Sequence, residues 1–372
     1  MDRKKILIIN TVGLNNNGIT QVIFDYYSRF DLNEFEIDII SGLNDDNKVK
    51  QKFENNGIHV YKLASRKNQT LKYINELYCL CKKNRYNLIH IHGNSATMTI
   101  ELVIARLAGI SSRIVHVHNS TCDAKIVDCM LRPFFYHFYT EAFACGNAAG
   151  NWMYGRKKFT VIKNGRDINH FSYDESKRQR MREKLNIDDT ILAIGNVGNF
   201  NEQKNHYFLI NVFKEIKRIN SKAKLYLAGH GHLEDKVKKL VCELDLEDSV
   251  VFLGTVENIQ EILQAMDIMV LPSKHEGLPL VVVEWQLSGL PCIISDTITS
   301  ECVFTDFVKK CSLNDDQIYW AKTILDQANT HNTNRSTKSI EAIMLADKNG
   351  YNIEKNVEFL MTKLKKMIEE NS

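Results

Sequence analysis

Glu276-Gly277-Leu278-Pro279-Leu280-Val281-Val282-Val283-Glu284 runs on into Gly289-Leu290-Pro291, holding two carboxylates eight residues apart across a tight turn and an apolar helical start. Before it, Ile268-Met269-Val270-Leu271-Pro272-Ser273 reads as a buried strand ending in a loop; beyond it, Cys292-Ile293-Ile294-Ser295 reads as the next strand. A strand, a turn and a helix bring backbone N–H groups to a helix N-terminus, where unsatisfied donors and the helix dipole hold anions. Glu276 stands at the mouth of the turn and Glu284 lies inside the helix near its start. Such an arrangement suits a diphosphate flanked by hydroxyl-rich groups, as in a nucleotide sugar. Taken singly, each glutamate reads more readily as a solvated helix residue.

Strand–helix alternation extends outward from this segment in both directions. In the first half, strands are expected at 5–10, 36–41, 58–63, 87–92, 113–118, 141–145 and 159–163, with helices at 20–30, 47–56, 70–84, 96–108 and 123–139. In the second, strands fit 190–195, 223–228, 249–253, 267–271 and 291–295, and helices fit 207–219, 233–244, 259–265 and 280–288. The alternation predicts parallel sheets with helices on both faces. Asn164-Gly165-Arg166-Asp167 carries a turn signal, and a charged run from Asp174 to Lys184 follows it. The boundary is therefore set near 165, giving an N-terminal domain over 1–165, a C-terminal domain over 166–352 and a helix over 353–372 that crosses back to the first domain. After about Asp306 the strand signal fades into helices. The cleft between two such sheets is the expected ligand site.

A chain of 372 residues exceeds the size at which one core usually keeps growing. Its hydrophobic content of 44% and charged content of 25% are those of an ordinary globular protein, and a net charge of +3 is too mild to argue for nucleic acid. Nine scattered cysteines without a CxxC spacing read as reduced thiols. The opening apolar run ending at Asn10 is too short for a signal peptide or a span. The expectation is a cytoplasmic protein whose membrane contact, if any, is peripheral.

Three turns in the second half follow strands. The stretch from Gly195 to His206 is glycine-rich and polar with one lysine, Lys204, which either meets a diphosphate as a point charge or is a solvated loop residue. Gly229-His230-Gly231 is either a plain tight turn or a ligand turn, and the segment from Glu276 to Glu284 is the third. All three sit at carboxyl ends of strands, where open α/β folds place ligands. In the first half, Asn15-Asn16-Asn17-Gly18 follows strand one, and His90-Ile91-His92 and His116-Val117-His118 end two other strands. The histidines within each pair are expected to alternate between strand faces, which argues against a shared metal ion, and no carboxylate cluster accompanies them. His118 is left as either a cleft-facing donor or a structural histidine. Segment 125–139, with Phe134, Phe135, Tyr136, Phe138 and Tyr139 beside Arg132, packs as a core helix or rests in a membrane interface. Trp152-Met153-Tyr154 next to Arg156-Lys157-Lys158 is a similar pairing.

Residues 276–296 together with Gln203-Lys204-Asn205-His206, Ala228-Gly229-His230-Gly231, Leu271-Pro272-Ser273 and Arg113-Ile114-Val115-His116-Val117-His118-Asn119 resemble glycosyltransferase family 4. These are retaining nucleotide-sugar enzymes of the GT-B fold, and the likeness is to their bacterial capsular and exopolysaccharide branch. It covers about residues 4–304. The resemblance implies two Rossmann-like domains facing across a cleft and a hexosyl- or N-acetylhexosaminyltransferase. A UDP-sugar would be the donor, a glycan or lipid-linked glycan the acceptor, and the inner face of the membrane the place of action. By the family pattern Glu276 would hold donor-sugar hydroxyls and Glu284 the ribose. Amides around Leu278, Leu280 and Val281 would face the diphosphate, with Gly229 and Asn199 in the adjoining loops, while Lys204 would neutralise it. Gly18 would let backbone approach the same phosphates, and His118 would touch the transferring sugar. Neither a metal nor another cofactor is implied. Asn199 stands where the family usually has arginine, Asn17 where a second glycine is common and Thr20 where an acid is frequent. A GT-B-like epimerase and a non-catalytic sugar-nucleotide-binding subunit are the alternatives.

Overall fold

The computed structural model of the chain describes residues 3–42, 45–122, 124–331 and 334–370. It divides into two compact units, one made of residues 1–165 with 352–372 and the other of 166–351.

In chain order the first unit contains β1 (Lys4–Asn10), α1 (Gly18–Tyr27), β2 (Phe35–Ser41), α2 (Asn47–Glu54), β3 (His59–Lys62), α3 (Thr70–Asn84) and β4 (Leu88–Gly93). It continues through α4 (Thr99–Ala108), β5 (Ser112–Val117), α5 (Lys125–Phe138), β6 (Glu141–Ala144), α6 (Asn147–Tyr154) and β7 (Thr160–Val161). The strands form one parallel sheet in the order β3-β2-β1-β4-β5-β6-β7. The order reverses at β1, so β1 and β4 flank a point where neighbouring connections diverge and leave room for a ligand. Central β4 is buried along its whole length, as a strand covered on both faces must be. Asp123, where the sequence starts its fifth helix, lies outside the described residues.

The second unit contains α7 (Glu175–Lys184), β8 (Leu192–Val197), α8 (His206–Ile219), β9 (Ala223–Ala228), α9 (Glu234–Glu243), β10 (Val250–Gly254), α10 (Ile259–Ala265) and β11 (Ile268–Leu271). After these come α11 (Leu280–Leu287), β12 (Cys292–Ser295), β13 (Val308–Cys311), α12 (Gln317–His331) and α13 (Arg335–Lys348). Its six-stranded parallel sheet runs β10-β9-β8-β11-β12-β13, with the reversal at β8 and β11. The charged run from Asp174 to Lys184 forms α7 and its cap. Asp174 caps α7, and Arg178 and Arg182 converge on the buried carboxylate of Asp267 at the start of β11, at 2.5 and 3.2 Å. Strand β13 contradicts the expectation that strands end by Asp306. Its sequence Val-Lys-Lys-Cys is polar because it is an edge strand, where lysines discourage further pairing.

The last helix, α14 (Ile353–Glu370), belongs to the first unit. Ile353, Val357, Leu360, Leu364 and Ile368 make a buried stripe at steps of three and four, the signature of a helix lying on a core. Lys4 pairs with Glu369 at 3.1 Å and Arg29 with Glu354 at 2.8 Å at its two ends.

Candidate functional site

In the second unit the loop between β8 and α8 and the loop between β11 and α11 meet through side chains. Lys204 Nζ lies 2.7 Å from Glu276 Oε1, and Gln203 Nε2 donates to Glu276 Oε2 at 2.9 Å. The amide of Lys274 donates to the Gln203 carbonyl at 2.8 Å, so backbone joins the two loops as well. Asn201 Oδ1 receives the Lys204 amide at 3.0 Å, and the stem of Lys204 lies on Gly198, where a Cβ would stand 3.0 Å from Cδ. These contacts fix the position of the ammonium. The lysine and glutamate singled out separately in the sequence are partners, each largely withdrawn from solvent.

Helix α11 begins without a side-chain cap. Pro279 occupies the capping position and makes no such hydrogen bond, so the first-turn donors at Leu280 and Val281 are presented uncapped, with Leu278 buried just ahead of them. Uncapped donors at a helix start, with the positive end of its dipole, form an anion seat. Asn199 is exposed on the neighbouring loop. Gly229 acts through backbone. It has φ +146°, and a Cβ there would come within 2.1 Å of the Gly198 carbonyl oxygen. The Gly198 amide donates to Ala228 at 2.9 Å and the Phe200 amide to His230 at 3.1 Å. Glycine at 229 therefore lets one loop back directly onto the other, and this packing requirement is independent of any ligand.

Glu284 is engaged elsewhere. Its Oε1 accepts from Arg166 Nε at 2.6 Å, and both side chains are buried. Arg166 had no signal in the sequence beyond the Asn-Gly turn before it. Its importance comes from a contact 118 positions away that no local pattern encodes. Next to the lysine, His206 is buried and stacks on Phe200 with ring centroids 4.1 Å apart. Desolvation, helped by the Lys204 charge, pushes its pKa down to about 4.

In the first unit Gly18 opens α1, and a Cβ there would meet nothing within 4 Å among the described residues, whose packing therefore does not demand glycine. Asn17 caps α1 by accepting from the Thr20 amide at 3.0 Å. Thr20 Oγ1 accepts from Asn10 Nδ2 at 3.0 Å and donates to the Gly13 carbonyl at 3.2 Å. Both departures from the family pattern thus build the turn after β1. His118 follows β5, is buried, and has Nε2 at 2.9 Å from His92 Nδ1. Burial pushes its pKa down to about 3, so it is a neutral imidazole.

The expected separation of the paired histidines onto opposite faces is wrong. Residues two apart on a strand share a face, because side chains alternate with a period of two. His90, His92, His116 and His118 form one column, with ring centroids 4.2 Å apart for the first two and 4.4 Å apart for the last two. One ring nitrogen from each of His90, His92 and His116 lies within 4.8 Å of the others, which is the geometry the sequence reading excluded.

Two family models match: glycosyl transferases group 1 over residues 177–324 and glycosyl transferase 4-like over residues 9–130. The chain is 30% identical over 336 residues to EpsF of Bacillus subtilis (strain 168), provisionally named a glycosyltransferase, with 87% of each chain covered. The chain belongs to the glycosyltransferases of group 1, with a family 4-like first unit. An Escherichia coli relative, UDP-Gal:alpha-D-GlcNAc-diphosphoundecaprenol alpha-1,3-galactosyltransferase, is 28% identical over 247 residues, covering 63% of this chain and 64% of its own. Among solved structures, Anabaena HepE in complex with UDP superposes with a TM-score of 0.80 at 18% identity, covering 97% of this chain and all of its own. Sucrose-phosphate synthase from Thermosynechococcus elongatus gives 0.78 at 15%, covering both chains in full. These likenesses give this glycosyltransferase the GT-B fold.

Proposed function

We propose that this glycosyltransferase moves a hexosyl or N-acetylhexosaminyl group from a UDP-sugar, with retention, to a growing surface polysaccharide on a lipid-linked acceptor. The observation that carries this reading is the Lys204–Glu276 pair beside the uncapped start of α11. The ammonium and the first-turn amides of α11 would meet the diphosphate, and a leaving group so neutralised departs more easily. Glu276 has one oxygen on Lys204 and the other on Gln203, and each carboxylate oxygen can accept a further hydroxyl. That engagement suits a group orienting donor-sugar hydroxyls better than one attacking the anomeric carbon. Glu284, aligned by Arg166, would take the ribose hydroxyls, while Gly18 and the neutral His118 would serve phosphate and sugar from the first unit.

The E. coli relative transfers from a UDP-sugar to a diphosphoundecaprenol-linked sugar, and HepE was solved with UDP and with UDP-glucose, which supports this donor and acceptor class. Lys204 and backbone dipoles meet the phosphate charge in this proposal, so activity should be equal with and without added magnesium or manganese. A strict need for either ion would overturn that part.

Incubation with a panel of UDP-sugars, alone and with a lipid-linked acceptor, tests the reading. Product only with acceptor, its anomeric configuration matching the donor, supports it. An epimerised donor without acceptor indicates the epimerase, and binding without product indicates a partner subunit, the alternative that Asn199 raises. Donor binding itself is read as a rise in melting temperature, since a ligand selective for the folded state stabilises it.

A lipid-linked acceptor calls for contact with the membrane surface. No helix among the described residues is long and apolar enough to cross a membrane. On α5, however, Ile126, Met130 and Phe134 recur every fourth residue and are 79%, 70% and 58% exposed. Lys125, Arg156, Lys157 and Lys158 are exposed too, whereas Phe135 is wholly buried. The helix therefore divides its aromatics between core and surface, and its outer stripe fits a headgroup boundary with cations on anionic lipid. Sedimentation with anionic vesicles should weaken when Arg156, Lys157 and Lys158 become Ser. Negligible binding throughout would mean a freely soluble acceptor.

A further inference from the structure

The histidine column in the first unit concentrates unmet hydrogen-bonding capacity. His90, His92, His116 and His118 are at most 8% exposed. Of their ring nitrogens, Nε2 of His90, Nε2 of His92, both nitrogens of His116 and Nδ1 of His118 are buried without a partner among the described residues. A buried, unsatisfied polar atom costs about 1–3 kcal/mol, so five of them on adjacent strands call for a physical reason.

The pattern of satisfied atoms supplies one. His90 Nδ1 lies 2.5 Å from the Tyr27 hydroxyl and His92 Nδ1 lies 2.9 Å from His118 Nε2. A metal-bound imidazole uses one nitrogen for the ion and donates from the other to a neighbour that orients it. Both rings have the orienting partner on Nδ1 and leave Nε2 unpartnered, and His116 brings two unpartnered nitrogens. Nitrogens from these three rings already lie within 4.8 Å of one another. Bonds of about 2.0–2.1 Å to a tetrahedral ion need them roughly 3.4 Å apart, an approach of an ångström or so. Burial pushes all four pKa values down, His90 and His118 to about 3, so the lone pairs are available at neutral pH.

We propose that His90, His92 and His116 form a binding site for one late first-row divalent ion, zinc or a congener, on a buried face of the first unit's sheet. An all-imidazole donor set suits such ions and disfavours magnesium, calcium and manganese, which prefer oxygen. Coordination through Nε2 of His92 keeps its proton on Nδ1, which makes His118 Nε2 the acceptor and holds that ring in one orientation. The ion is thus a brace between β4 and β5 and a positioning device for His118, separate from the diphosphate chemistry.

The test uses full-length protein stripped with chelator, loaded with zinc sulfate and gel-filtered before metal analysis. Wild type should retain one zinc per chain and melt at a higher temperature when loaded. His116→Gln, which leaves the Tyr27–His90 and His92–His118 contacts in place, should bind at least about a hundredfold more weakly. The exposed His230 and His232, both changed to Gln, should leave retention unaltered. Should His116→Gln fail to fold, histidine nitrogen-15 NMR on wild type decides, since zinc must shift His92 Nε2 while His92 Nδ1 stays protonated. No retained zinc, retention indifferent to His116→Gln, retention lost with the exposed pair, or unchanged His92 resonances would each overturn the proposal.

Discussion

The two units share a doubly wound parallel sheet yet differ in the polar groups they bury around it. The second unit uses paired charges: Lys204 with Glu276, Arg166 with Glu284, and Arg178 and Arg182 with Asp267. The first also has ion pairs, Arg66 with Glu101 and Arg132 with Asp128, but adds four neutral imidazoles, stacked and buried. The difference fits the roles proposed for each. Charge is tolerable in a protein interior only when matched, and matched charge can be re-aimed at a diphosphate. Neutral rings are cheaper to bury, and their lone pairs suit a sugar hydroxyl or a soft cation.

The comparison breaks most visibly at Glu284. Glu284→Ala removes a carboxylate partner of the buried Arg166, so the second unit should be destabilised by up to about 3–5 kcal/mol in chemical denaturation and UDP should bind more weakly. Glu276→Ala, at the loop, should leave UDP binding nearly intact and lower turnover. Equal loss of UDP affinity in both would refute the assignment of ribose to one and sugar to the other.

Next in size is Lys204→Ala, expected to cut turnover about a hundredfold or more while the protein stays folded. A variant of near-normal rate would remove the lysine from the chemistry.

His206 sharpens the contrast because it brings a neutral, buried imidazole into the charged unit. Its folded pKa, about 4, lies below the usual value near 6.5 for an unfolded chain. Between those values the unfolded chain takes up a proton that the folded one refuses, so stability falls as pH drops from 6.5 to 4 and is unaffected above. The contribution is up to about 1.4 kcal/mol per pH unit. His206→Phe, which keeps the stack on Phe200, should flatten the acid limb of the stability curve by that much. An unchanged slope would show that the ring is protonated when folded.

The smallest effect is expected at Asn199→Arg, which should tighten UDP about tenfold by adding a second cation beside the diphosphate seat. No change in affinity would mean another residue already fills that role.

Alternation of apolar and amphipathic runs was enough to read both sheets, because a parallel strand covered on two faces must be a short apolar block. It missed Val308–Cys311, whose lysines belong to an edge, and it read Glu175–Lys184 only as a charged run, without the capped helix that the run forms. Within the candidate site, Lys204, Glu276 and the start of α11 were legible because each sits in a loop directly after a strand. Arg166 was not, since its partner is remote in sequence, and the histidine column was misread through the strand period.

The amino-acid sequence by itself determined the two sheets, the family and the loops that carry polar chemistry, since these depend on local periodicity and on residues close along the chain. Tertiary structure alone decided who pairs with whom. It joined Lys204 to Glu276 and Arg166 to Glu284, made Gly229 a packing requirement, and gathered His90, His92 and His116 from two strands. The physical reason is that a charge or a lone pair is worth most when buried beside its complement, and both the burial and the complement come from chain segments far apart in sequence.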